Sequence, residues 1–97
     1  MKTIMVRYRT TPAHAETNVA LVHAVYDALR AKAPEGFHYA TYRLADGATF
    51  VHIATHDAPG DNPLQALPEF QAFQTKLRES CVEPPVLTEL ARVDSYR

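Results

Sequence analysis

The sequence predicts an α+β fold in which six elements follow the order strand, helix, strand, strand, helix, strand. Three observations predict it: period-two alternation in the first ten residues, a tight-turn signal at mid-chain, and helical spacing of apolar residues on both sides of that turn. Elements in this order usually form a four-stranded antiparallel sheet with both helices on one face, the ferredoxin-like βαββαβ arrangement. We expect residues 1–97 to form one such domain.

The first strand, predicted over residues 2–9, alternates two kinds of side chain between its faces. One face carries Ile4, Val6 and Tyr8, and the other carries Met5 and Arg7. This alternation predicts a sheet whose two faces meet different surroundings.

The first helix is predicted to begin with Thr11 as its N-cap and Pro12 at the first helical position. An apolar stripe at helical spacing consists of Val22, Val25, Tyr26 and Leu29. Pro34, Glu35 and Gly36 are expected to end this helix, which would lie on the sheet.

A β-hairpin is predicted over residues 39–56, with Asp46 and Gly47 as a two-residue turn that tolerates positive φ. That turn sets a register that pairs Tyr39 with Ala54, Thr41 with His52 and Arg43 with Phe50.

A loop is predicted over residues 57–63, and a second helix is expected to begin at Pro68. Its apolar positions at helical spacing are Phe70, Phe73, Leu77 and Cys81. Pro84 and Pro85 are expected to terminate that segment, and the last strand is predicted from Val86 to about Tyr96.

Composition argues against several classes of function. Lys and Arg number 10 against 11 Asp and Glu, so no basic field attracts nucleic acid. The single cysteine, Cys81, excludes an internal disulfide and suits a reducing compartment. Arg7 interrupts the N-terminal apolar run too early for a signal peptide or a membrane span, so we expect a cytoplasmic protein that does not enter a membrane.

One face of the predicted sheet has no helix to cover it. Its side chains are Met5, His38, Ala40, Tyr42, Leu44, Val51 and Ile53. Because a largely apolar sheet face needs cover, we expect it to pair with the same face of an identical chain in a homodimer.

Three segments carry a resemblance that spans nearly the whole chain. They are Tyr8-Arg-Thr-Thr-Pro12, the hairpin strands Tyr39-Ala-Thr-Tyr-Arg43 and Phe50-Val-His-Ile-Ala-Thr-His56, and Pro68-Glu-Phe-Gln-Ala-Phe73. In order and spacing these resemble the antibiotic biosynthesis monooxygenase-like family of the dimeric α+β barrel superfamily. The resemblance implies two sheets closed face to face and a ligand cavity between sheet and helices in each subunit.

The same resemblance bears on chemistry and cofactors. Some family members oxygenate quinol-like or anthrone-like aromatics without metal or flavin, and others have no known activity, so fold transfers better than function. The haem-degrading members carry an Asn, a Trp and a His where this chain has Val6, His56 and Gln74, and it contains no Trp. We therefore expect neither haem nor another cofactor.

Two groups of residues are candidates for a site. His14 and Asn18 are four residues apart on the first helix, and a histidine in the first turn is favoured in its neutral, proton-accepting form. An exposed histidine at a helix start is the alternative interpretation.

On the hairpin, His52 shares a face with Tyr39 and Thr41, and Tyr8 is expected on the same face of the first strand. Polar groups that converge in apolar space are typical of a small-ligand pocket, although they could instead satisfy one another in the core. The candidate bases are His52 and His14, and the candidate donors are Tyr39 and Asn18. Further candidates for ligand binding are Tyr8, Thr41, His56 and Tyr26.

No metal site is expected. His52 and His56 are separated by roughly 13 Å along a strand, whereas two imidazoles bind one zinc ion at about 2.0 to 2.1 Å each. Cys81, on the predicted apolar stripe, suits a buried structural thiol better than a nucleophile.

The leading hypothesis is a cofactor-independent monooxygenase for a small aromatic, quinol-like or polyketide-like molecule. In such a reaction the substrate supplies the electrons, while the protein removes a proton, stabilises the resulting anion and excludes water. The alternative is a non-catalytic homodimer that binds a small metabolite or has a stress or regulatory role.

Overall fold

The computed structural model describes residues 1–57, 60 and 62–96. Its strands are β1 (Lys2–Thr10), β2 (Phe37–Arg43), β3 (Thr49–His56) and β4 (Cys81–Leu90). They form one antiparallel sheet in the order β2-β3-β1-β4. The helices are α1 (Ala15–Lys32) and α2 (Pro68–Ser80), and short 3-10 turns cover Pro12–His14 and Pro63–Ala66. This confirms the predicted α+β fold.

The register of the central hairpin is confirmed. Tyr39 pairs with Ala54, Thr41 with His52 and Arg43 with Phe50, as predicted. β1 continues the pattern on the other side of β3, where Val6 pairs with His52 and Tyr8 with Phe50. Since side chains alternate across a sheet, these partners share its helix-facing side.

The hairpin turn differs from the predicted two-residue type. Leu44 and Thr49 close it, with the Leu44 amide donating to the Thr49 carbonyl at 2.9 Å. Gly47 has a φ of +78°, whereas Asp46 has no positive φ. Asp46 acts through its side chain, which accepts from the Ala48 and Thr49 amides at 2.9 Å each. The turn is longer because these bonds stabilise a wider loop.

The start of α1 also differs from the prediction. Thr11 lies in extended conformation before a 3-10 turn, and its side chain makes no capping hydrogen bond. Its backbone N–H instead donates to the Ser80 carbonyl at 3.0 Å, which ties the end of β1 to the end of α2. α1 ends where Ala33 adopts a left-handed conformation and donates to the Leu29 carbonyl at 2.7 Å.

The predicted bounds of the last strand were wrong. β4 begins at Cys81, directly after α2, so Cys81 is a strand residue and not part of the helical stripe. Arg7 pairs with Val86 and Arg9 with Glu83, which leaves Pro84 and Pro85 together opposite Tyr8. Two residues opposite one form a β-bulge, and a bulge on an edge strand is a place where proline fits.

The core lies between the helices and the helix-facing side of the sheet. Its buried members are Tyr8, Val22, Val25, Leu29, Phe50, Leu64, Leu67, Phe73 and Leu77. Three of the four predicted stripe residues of α1 belong to it, with Tyr26 packed at its margin. Leu64 and Leu67 were not predicted, because they lie between the predicted loop at residues 57–63 and the helix expected from Pro68, where no element was predicted.

The predicted loop at 57–63 includes residues 58, 59 and 61, which lie outside the described part of the chain. Among the described residues, neither helix combines the length and apolar character needed to cross a membrane.

Candidate functional site

A cavity of about 250 Å³ lies between the helix-facing side of the sheet, α2 and the 3-10 turn before it. Tyr8, Tyr39 and His52 contribute polar groups to its lining. The apolar lining residues are Ile4, Val6, Ala54, Leu64, Phe70, Phe73, Leu77, Pro85 and Leu87. A mostly apolar space with a few convergent polar groups is the usual character of a small-molecule site.

His52 is the centre of the polar groups in this cavity. Only 5% of its surface is exposed, and both ring nitrogens have hydroxyl partners. Nε2 lies 2.8 Å from the Tyr8 hydroxyl, and Nδ1 lies 2.6 Å from the Tyr39 hydroxyl and 3.1 Å from the Thr41 hydroxyl. The predicted convergence of these side chains is therefore present.

The hydrogen bonds continue in both directions from His52. The Asn18 Nδ2 group of α1 donates to the Tyr8 hydroxyl at 2.8 Å, and the Tyr26 hydroxyl lies 2.8 Å from that of Thr41. Asn18 is fully buried. We call the resulting chain of Asn18, Tyr8, His52, Tyr39, Thr41 and Tyr26 the His52 network.

The tautomer of His52 is assigned from the orientation of the Asn18 amide, whose Nδ2 group faces the Tyr8 hydroxyl. The Tyr8 oxygen accepts from Asn18, so we assign its hydroxyl hydrogen to His52 Nε2. A neutral His52 then carries its own hydrogen on Nδ1, where Tyr39 and Thr41 are the acceptors. Tyr39 accepts this bond and keeps a hydroxyl hydrogen with which it can donate to a ligand oxygen.

Burial keeps the central groups of the network neutral. It lowers the pKa of His52 to about 4, because an imidazolium would be poorly solvated there. Burial also raises the pKa values of Tyr8 and Tyr39 well above 10 and raises that of Tyr26. At neutral pH the cavity therefore presents an uncharged imidazole and uncharged phenols.

Aromatic packing holds the rings of the network in place. Tyr8 stacks on Phe50 with ring centroids 5.6 Å apart, and His52 lies 5.5 Å from Phe73 of α2. Tyr39 stacks on Tyr26 at 5.1 Å. Contacts of this kind limit ring rotation, so the hydroxyl groups keep their positions around the imidazole.

Of the predicted site residues, Asn18, Thr41 and Tyr26 belong to the His52 network without lining the cavity, and two others join neither. His14 ends the 3-10 turn before α1, and its Nε2 atom is buried without a hydrogen-bond partner among the described residues. His56 ends β3 and packs edge-on against Phe37 at 6.0 Å. Neither histidine lines the cavity.

The polar side of the cavity was not predicted from the sequence. Asn62, Gln65, Gln74 and Arg78 line it from the 3-10 turn and from α2. Arg78 is the one charged residue in the described lining, and its Nε donates only a long bond of 3.4 Å to the Gln74 carbonyl. The spacing of Phe70, Gln74 and Arg78 by four residues was the available signal, since such residues share a helix face.

Other chemical groups lie away from this cavity. Cys81 is partly buried at the start of β4, and burial raises the pKa of its thiol. Within the described residues there is no cluster of three or more His, Cys, Asp or Glu that could hold a metal ion.

Comparison with known proteins gives no match to a family profile and none to a curated protein. Solved structures do match over nearly the whole chain. Rv0793 from Mycobacterium tuberculosis is 21% identical, and the alignment covers 99% of this chain and 98% of the Rv0793 chain with a TM-score of 0.75. A Nitrosomonas europaea protein assigned as an antibiotic biosynthesis monooxygenase is 12% identical, with coverage of 97% and 100% and a TM-score of 0.79.

The chain has the fold of the antibiotic biosynthesis monooxygenases. A further match is a variant of SnoaB, a cofactor-independent oxygenase from Streptomyces nogalater, at 21% identity, coverage of 98% and 95%, and a TM-score of 0.64. The resemblance drawn from the sequence is thereby confirmed at the level of fold. Because these identities are low, the matches show the fold and do not assign a reaction to this chain.

Proposed function

We propose that this chain is a cofactor-independent monooxygenase that acts on a small, electron-rich aromatic molecule with an ionisable hydroxyl or an activated CH₂ group. The observation that carries this proposal is the neutral, buried His52, held between Tyr8 and Tyr39 at the wall of an apolar cavity. Such a site offers a proton acceptor and a donor close together with little water.

Cavity size limits the substrate. An apolar cavity of about 150 Å³ binds benzene, and this cavity measures about 250 Å³. One ring or two fused rings therefore suit it better than a four-ring polyketide. Arg78 at the polar side would pair with an acidic substituent of the substrate, because it has no carboxylate partner within the described lining.

The His52 network supplies a path for the proton of the substrate. Both His52 nitrogens are already bonded, so the proton would pass to the Tyr8 oxygen while the Tyr8 hydrogen passes to His52 Nε2. Asn18 donates to the Tyr8 oxygen and stabilises it during this transfer. Tyr39 donates its hydroxyl hydrogen to the substrate oxygen, where negative charge develops.

The low pKa of His52 in the empty cavity does not prevent this transfer. The substrate anion forms next to the imidazolium, and opposite charges in an apolar space attract strongly, which raises the pKa of the histidine. The anion then reduces O₂. An activated CH₂ group becomes a carbonyl, one oxygen atom enters the product, and the other leaves as water with the two hydrogens.

We further propose that two chains pair through the open face of the sheet, the side opposite the helices. Tyr42 and Val86 on this face are 57% and 61% exposed in the single chain. Met5 and Ile53 pair in the neighbouring cross-strand row and are half-buried. Arg7 lies in the same row as Tyr42 and Val86, so the surface is largely but not wholly apolar. A largely apolar exposed surface is typical of a subunit interface.

Oxygen uptake with anthrone and with one- and two-ring quinols tests the proposed activity. Removing a general base typically costs about 10² to 10⁴ in rate, so we expect a loss of that size in His52→Gln. His14→Gln is the matched control, since His14 does not line the cavity. Equal rates in wild type and His52→Gln would contradict the role of His52.

A non-catalytic ligand-binding role is the second candidate, because hydroxyl groups already satisfy both His52 nitrogens. It predicts that 1-hydroxy-2-naphthoate raises the melting temperature of the wild type while no quinol or anthrone consumes oxygen. Substrate-dependent oxygen uptake above the uncatalysed rate would exclude this second candidate.

A further inference from the structure

The His52 network joins two separate spaces in the molecule. Tyr8, Tyr39 and His52 line the cavity described above. Tyr26 and Thr41 instead line a more open groove of about 470 Å³ between α1 and the edge strand β2. The link between the two is His52 Nδ1 to the Thr41 hydroxyl, at 3.1 Å, and from there to the Tyr26 hydroxyl, at 2.8 Å.

We propose that Thr41 and Tyr26 form a proton exit, through which a proton accepted by His52 on the cavity side reaches water in the outer groove. This inference rests on the proposed role of His52 as the base. It assigns Thr41 and Tyr26 as positioning residues for proton transfer, and neither would touch the substrate.

The transfer moves one proton and no electrons. After Nε2 has gained its proton, the Nδ1 hydrogen passes to the Thr41 oxygen, and the Thr41 hydrogen passes to the Tyr26 oxygen. The Tyr26 hydrogen then leaves to water in the groove, and His52 is neutral with its hydrogen on Nε2. The path runs in reverse when the second oxygen leaves as water: a proton returns through Tyr26 and Thr41 to Nδ1, and the Nε2 hydrogen passes through Tyr8 to the departing oxygen. This return restores the starting arrangement, and the complete reaction releases no net proton.

The alternative routes are less suitable. Tyr39 also accepts from Nδ1, and it lines both the cavity and a second groove beside Tyr26. Because its hydroxyl hydrogen is directed to the substrate oxygen, a proton received there would return to the substrate. The groove lined by Thr41, in contrast, is a separate space that a substrate in the cavity does not fill. A separate exit therefore lets the site lose a proton without admitting water to the reacting molecule.

Charged groups around the groove suit a departing proton. The Arg30 guanidinium lies 5.8 Å from the centre of the Tyr26 ring, and its charge favours a transient phenolate. Arg43 and His23 also line the groove. Arg30 pairs with Asp27 and Arg43 with Glu16, so both cations are partly balanced.

Hydrogen exchange of the His52 ring tests this path without any substrate. In protein labelled with ¹⁵N-histidine, NMR would measure how fast the Nδ1 hydrogen exchanges with water. We expect exchange at least about tenfold slower in Thr41→Val and slower in Tyr26→Phe. Thr55→Val is the matched control, since Thr55 bonds to Thr3 on the other side of the sheet, and its exchange rate should equal that of the wild type.

Two results would overturn the proton exit. One is an unchanged exchange rate of the His52 Nδ1 hydrogen in a folded Thr41→Val protein. Backbone amide exchange of β3, measured on the same sample, would show whether the substitution loosens the strand. The other is slower exchange when 1-hydroxy-2-naphthoate fills the cavity, because that would place the route through the cavity. Slow exchange in Thr41→Val together with no oxygen uptake by the wild type would contradict the proposed reaction but not the path.

Discussion

The two faces of the sheet carry opposite kinds of chemistry. On the helix-facing side, Tyr8 and His52 are buried, and their polar atoms are bonded to one another. On the open side, Tyr42 and Val86 expose more than half of their surface although they are largely apolar. Both faces come from the same strands, since alternate residues point to opposite sides.

This difference separates two roles. Buried polar groups cost free energy unless they are hydrogen-bonded, so a connected network with a cavity beside it suits ligand binding better than simple core packing. An exposed apolar face needs cover from outside the chain. The proposals of ligand chemistry on the helix-facing side and of subunit contact on the open side both rest on this division, which mutations on each face can test.

The largest expected effect is the pH dependence that His52 imposes on stability. Its pKa is about 4 in the folded chain and 6.5 as the reference value, so the unfolded chain binds more protons between these values and stability falls as pH decreases. The full difference corresponds to about 3 kcal/mol of the free energy of unfolding. Urea titrations at pH 7 and pH 4 measure it.

His52→Gln should lose this contribution, because glutamine does not titrate. His56→Gln serves as its matched control and should keep the wild-type loss of stability in acid. If wild type and His52→Gln lose the same amount between pH 7 and pH 4, then His52 is not the buried neutral group that the geometry indicates.

The next effect concerns the open face. Val86→Lys places a second cation beside Arg7, its partner across the strands. We expect the dimer dissociation constant to rise at least about 100-fold, close to 2.7 kcal/mol. Val93→Lys is a control of the same chemistry at a residue 99% exposed beyond β4. Sedimentation of the wild type as a monomer at micromolar concentration would contradict the proposed interface.

A smaller effect is expected at Arg78. If this residue pairs with an acidic substituent, 1-hydroxy-2-naphthoate should bind the wild type about tenfold more tightly than 1-naphthol does, roughly 1.4 kcal/mol. Arg78→Gln should remove this preference and leave 1-naphthol binding unchanged. Calorimetric titration measures both ligands, and an equal preference in Arg78→Gln would show that the acid is recognised elsewhere.

Features of this structure that depend on local sequence patterns could be predicted, whereas those that depend on tertiary contacts could not. Alternation and the Gly47 turn are local, and together they placed Thr41 opposite His52 correctly. Tyr8 was predicted to lie on the same sheet face, because paired residues on neighbouring strands point to the same side of an antiparallel sheet. The order of elements was sufficient for the fold class.

Other features depend on tertiary contacts that no local pattern contains. Cys81 continues the helical spacing of α2, but pairing with Thr10 makes it the first residue of β4. Pro84 and Pro85 usually interrupt a strand, yet here the bulge opposite Tyr8 accommodates them. The 3-10 turn at Pro12–His14 directs His14 away from the cavity lining, which helical periodicity alone cannot predict.

The most direct test of the central claim is the ¹⁵N NMR titration of the His52 ring. We expect a neutral ring with its hydrogen on Nδ1 from pH 7 down to about pH 5, and protonation near pH 4. A ring that titrates near pH 6.5, or one that carries its hydrogen on Nε2 at neutral pH, would rule out the buried neutral imidazole bonded as described here.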